Sequence, residues 1–142
     1  MNSATGRSPG VMIIAVVNLV AAALTLAFWI LVYVKLFSGA KADASIAPAA
    51  LSATFGFLVG DLVWAVPLLI ISAAGLLKRK AWGLLTAQMV NILWLYSMTA
   101  IWVRDLHAGM VSPGAVLFTP FALFAVWAIG FLWKRRGLFS GV

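Results

Sequence analysis

Apolar residues come in four long runs, and the polar residues that interrupt the chain fall between them. Stretches with little or no charge run Val11–Val34, Ser52–Leu77, Ala81–Val103 and Ala115–Trp133. Each holds the roughly 20 residues that a helix rising 1.5 Å per residue needs to cross about 30 Å of hydrocarbon. A transmembrane barrel would show alternating segments of about ten residues, and none is present. The pattern predicts an all-α, four-helix transmembrane bundle over residues 1–142, as one domain. The connections are short, so neighbouring helices are expected to be antiparallel. Boundary signals agree. Pro9-Gly10 precedes the first run, and Lys35 follows it. Lys78-Arg79-Lys80 leaves only a tight turn between the second and third. Ser112-Pro113-Gly114 opens the fourth, and Lys134-Arg135-Arg136 closes it.

Within the runs, small and polar residues recur at helical spacing, and in lipid these mark helix–helix contacts. The stripes read Ala15, Asn18, Ala22, Thr25 and Trp29 in the first span, and Thr54, Asp61, Ala65, Ser72 and Gly75 in the second. In the third they read Gln88, Asn91, Leu95, Thr99 and Trp102, and in the fourth Thr119, Ala122, Val126 and Gly130. Pro67 is expected to kink the second span by freeing a carbonyl. Pro120 is read as close enough to the start of the fourth to be tolerated. Trp29, Tyr33 and Trp102 fall where an aromatic belt is expected at one interface, and Trp82 and Trp133 at the other. Trp64, Trp94 and Trp127 fall at mid-depth, where an indole needs a protein acceptor or borders a cavity.

Composition removes the alternatives. The chain of 142 residues is 65% hydrophobic and 9% charged, with a mean hydropathy of +1.12. Soluble domains are about 45–50% apolar and about 25% charged. With no cysteine, no glutamate, one histidine and three aspartates, thiolate chemistry is excluded and most acid–base or metal chemistry lacks its groups. No cofactor or metal is expected.

The net charge is +7, and the basic residues cluster at the ends of the runs. That points to topology and anionic headgroups rather than nucleic acid. Arg7, Lys78, Arg79, Lys80, Lys134, Arg135 and Arg136 share one side. Lys35, Lys41 and Arg104 share the other with Asp43 and Asp105. Cytoplasmic loops are enriched in Lys and Arg, so both termini are expected to be cytoplasmic, in a bacterial inner membrane. Arg7, the first run and Ala21-Ala22-Ala23 could also be read as a signal peptide. The run continues through Val34, past a signal's usual length, which favours an uncleaved span.

Asp61 is the only charge inside a span. Such a residue costs about 2.5–3.5 kcal/mol on insertion scales and is usually turned toward the bundle. Protonation or hydrogen bonds from neighbours offset the cost. By depth, Asp61 lies about 6 Å from the middle of its span. That predicts Thr25, Tyr96 and Thr119 as partners, Trp64 one turn away, and Asn91 one turn deeper. Two readings stand: a site for a ligand or proton, or a register-fixing carboxyl. Arg104-Asp105-Leu106-His107 is either a polar site at the mouth of the bundle or a solvated helix end.

Four spans in about 140 residues resemble the small multidrug resistance transporters in span number and in pairing aromatics with an acid. Those proteins carry a glutamate in the first span, and the first span here has no acid. The cysteine pair of claudin-like proteins and the two acids of intramembrane aspartyl proteases are also missing. No family is assigned on these residues. The function expected is a binding or transport module with an outer-half cavity for a small lipophilic or cationic ligand, or a proton. Asp61 would supply the charge, Trp64 and Tyr96 aromatic walls, Thr25 and Thr119 hydrogen bonds. The alternative is a non-catalytic accessory or assembly subunit. Expected partners are the bilayer, that ligand, and a second copy or a larger membrane complex.

Overall fold

The computed structural model describes residues 8–37 and 48–139. Arg7, Lys41 and Asp43, used above for orientation, lie outside the described residues. Helix α1 spans Pro9–Phe37. A second rod is built from α2 (Pro48–Gly60), a π-helical turn (Asp61–Ala65) and α3 (Val66–Leu77). Helix α4 spans Ala81–Ala108 and α5 spans Pro113–Lys134, with a 3₁₀ turn at Arg136–Leu138. All four rods are long and apolar enough to cross a membrane. Among the described residues there is no strand.

Starts and stops follow from local chemistry. Pro9 occupies the first position of α1, where its missing N–H costs no helical bond. The Ser112 hydroxyl caps α5 by accepting from the Ala115 N–H at 3.3 Å. Helix α4 ends on Gly109, whose φ of 61° is the left-handed conformation that glycine adopts without strain.

Side-chain contacts establish antiparallel packing around the bundle. Asn18 meets Ser72 and Trp29 meets Asp61, so α1 runs against the second rod. Gln88 reaches the Ile129 carbonyl and Trp102 reaches Thr119, so α4 runs against α5. Between α3 and α4 the backbones touch: a Cβ added to Gly75 or Gly83 would overlap the other's main chain. The stripe predicted for α1 is buried throughout, from Ala15 to Trp29. The core is rich in alanine, with Ala15, Ala73, Ala87 and Ala128 meeting around Ile14, Leu76 and Leu132. Large aliphatics such as Ile30, Leu85 and Leu123 face outward.

Three expectations are corrected. In α4, Thr99 is exposed and bonds its own Leu95 carbonyl. The inward line continues from Asn91 to Met98 and Asp105 instead. In α5, Val126 and Gly130 are exposed, and the inward line is Ala115, Phe118, Ala122, Ala125 and Leu132. A straight 3.6-residue period drawn from Thr119 selects the neighbouring face. Finally, Pro120 sits two turns inside α5 rather than near its start.

Just before Pro67 the second rod carries a π-helical turn. The proline ring would clash with the carbonyl four residues back, and its missing N–H leaves that carbonyl unpaired. The chain absorbs this as one wide turn rather than a break. The Val66 N–H bonds the Asp61 carbonyl, an i→i+5 contact that ends the π segment.

Candidate functional site

The π-helical turn presents Asp61 to α1. The Trp29 indole N–H donates to Asp61 Oδ2 at 2.8 Å. Trp29 is buried, and so is Thr25 one turn before it. Thr25 spends its hydroxyl proton on the Ala21 carbonyl, at 2.8 Å. A small cavity of about 20 Å³ lies beside the carboxyl, lined by Thr25, Asp61, Ala65, Trp94 and Ser97 among others. That is room for about one water.

The residues predicted from sequence divide. Asp61 and Thr25 come together. Trp64 and Tyr96 do not: they are 64% and 71% exposed, on the outside of the bundle. The wide turn is the reason for Trp64. An i→i+5 turn holds more residues than an α turn, so a side chain three positions on is carried away from Asp61's face. On α4 the inward positions at this depth are Trp94 and Ser97, flanking Tyr96. Thr119 is engaged elsewhere, accepting from the Trp102 indole at 2.9 Å and donating to the Ala115 carbonyl at 2.6 Å. Asn91 is buried one turn deeper, and its amide nitrogen has no partner among the described residues.

Trp29 lies on the inward stripe that the sequence predicts from Ala15 onward; what the sequence does not name is its pairing with Asp61. Of the mid-depth indoles, Trp94 does border a cavity and stacks on Phe121, with ring centroids 5.7 Å apart. Trp64 and Trp127 face outward.

The other face of Trp29 borders a larger space. Between α1, α2, α4 and α5 lies a cavity of about 370 Å³, within the range of small-molecule sites. Phe28, Trp29, Phe57, Ile101 and Phe118 supply its apolar walls, and Lys35, Arg104 and Ser112 its polar lining. The space exists because α2 stands off its neighbours and packs chiefly on the π turn that follows it.

Arg104, Asp105 and Ser112 fasten this end. Arg104 donates from Nε and Nη2 to Asp105 Oδ1 at 3.0 and 2.7 Å. Asp105 Oδ2 accepts from the Ser112 N–H at 2.7 Å. Asp105 is buried, so this is a clamp across the loop between α4 and α5 rather than a solvated pair. His107 is exposed. No family model, curated protein or solved structure matches this chain.

Proposed function

We propose that the protein is an integral membrane module that binds or transports a small lipophilic ligand. In this reading both termini are cytoplasmic, in a bacterial inner membrane, and the large cavity lies in the outer half. The observation that carries it is the cavity of about 370 Å³ with aromatic walls. Asp61 then serves as a positioning residue. Its carboxylate holds the Trp29 indole, which forms part of the cavity wall. This differs from a bare charge offered to a cationic ligand, because the carboxylate is engaged by the indole and the rim of the cavity is cationic.

Filling the cavity tests the reading. Val32 lines it, and Val32→Trp adds bulk where α2 has room to yield. Wild-type protein released gently from detergent is expected to carry a bound lipophilic molecule in native mass spectra, and Val32→Trp is expected to lose it. Equal occupancy in the two proteins, or none in either, contradicts the proposal.

An accessory or assembly role is the second reading. It is favoured by the open Gly56 and Gly60, whose G-x-x-x-G spacing suits close contact with another helix. It predicts co-purification with a larger complex and no ligand-dependent effect of Val32→Trp.

A further inference from the structure

The large cavity is amphipathic along its length, and this bears on what occupies it. Lys35 lies six residues beyond Trp29 on α1, about 9 Å along the helix axis. Ile101 likewise lies three residues before Arg104 on α4, and Phe118 four beyond Gly114 on α5, so Trp29, Ile101 and Phe118 stand deeper along the cavity than Lys35 and Arg104. No acidic side chain lines the cavity among the described residues. Asp105, just behind the rim, takes two of the Arg104 donors. A guanidinium has five, so three remain, and the Arg104 side chain is 46% exposed. Lys35 has no carboxylate partner among the described residues. Counting Lys35, Arg104 and Asp105 together, the rim carries one net positive charge. The first turn of α5, at Pro113 and Gly114, adds the positive end of a helix dipole to the same rim.

We propose that the ligand is a single-chain anionic amphiphile. Its tail lies against the aromatic end, and its acidic head, a phosphate or carboxylate, is held by Lys35 and Arg104. Arg104 supplies directed donors and Lys35 a flexible point charge. The inference rests on the binding role proposed above and names the ligand class for that same cavity.

The test uses the full chain in phosphatidylcholine nanodiscs. Dodecyl phosphate, dodecyltrimethylammonium and dodecanol are added at equal bilayer concentration, and bound species are counted by native mass spectrometry. Dodecyl phosphate is expected to bind at least tenfold more tightly than the other two. Lys35→Gln combined with Arg104→Gln is expected to weaken it at least tenfold, and Lys35→Gln alone severalfold with the Asp105 clamp intact. Equal binding of all three probes overturns the inference, as does a double variant that binds dodecyl phosphate normally. In either case loss of every probe in Val32→Trp leaves the cavity reading standing. If Val32→Trp binds all three as the wild type does, both readings fall. Displacement of dodecyl phosphate by millimolar inorganic phosphate overturns the inference in favour of a site for the free anion.

Discussion

At the scale of single residues, the pair that matters is Asp61 and Trp29. A carboxyl in an apolar span and an indole in an apolar core each need a partner, and each supplies the other's, at 2.8 Å. Removing one member of such a pair leaves the other unsatisfied, at a cost of about 1–3 kcal/mol. Trp29→Phe is therefore expected to destabilise the protein by that amount in detergent unfolding titrations. Asp61→Leu also removes the insertion cost of the acid, so its net effect should be smaller. In the double variant most of the Trp29→Phe loss should be recovered. Strictly additive effects would mean that the two residues are not coupled. Much of this site was legible in the sequence. Asp61 stood out as the one charge that topology does not explain, and Thr25 followed from depth. Trp64 and Tyr96 did not follow. Trp64 is read one regular turn from Asp61, and the chain departs from that period at Asp61–Ala65; Tyr96 is read from depth, which does not fix the side of a helix that faces inward.

At the scale of elements, the proline explains the departure. Pro67 announces a disturbed turn in any helix, but whether it appears as a kink, a break or a π turn depends on packing the sequence does not spell out. The four spans themselves were plain, since length and hydrophobicity alone define them. Their facing is plain for α1 and for the second rod, whose polar and small residues lie on one stripe each. In α5 alanine and phenylalanine pack inward, and neither advertises its direction. The α3–α4 junction makes a sharper statement. Gly75 and Gly83 lie where a Cβ on one would overlap the backbone of the other. Gly83→Ala is expected to cost about 1–3 kcal/mol, as overpacking does. Gly56→Ala, where a Cβ meets nothing within 4 Å, should be neutral or slightly stabilising, because alanine favours a helix by about 1 kcal/mol. Comparing the two variants in the same unfolding assay checks both. Equal losses would mean that the close approach is not maintained.

At the scale of the molecule, the bundle is tight at one end and open at the other. Small residues let α1, α3, α4 and α5 close around an alanine-rich core, while α2 stands apart beyond the π turn. The sequence pointed to a cavity near Asp61 but not to its position, because the standing-off of α2 is a tertiary fact. It also placed Lys35 and Arg104 only as helix-end charges, and the fold brings them to one rim. The central claim is that this rim and the aromatic end together hold an amphiphile. A density map of the full chain with dodecyl phosphate tests it most directly. The account predicts elongated density between α1 and α2, its tail against Trp29 and Phe118 and its head at Lys35 and Arg104. A map in which Phe57 closes onto Phe118 with no density between them would contradict it.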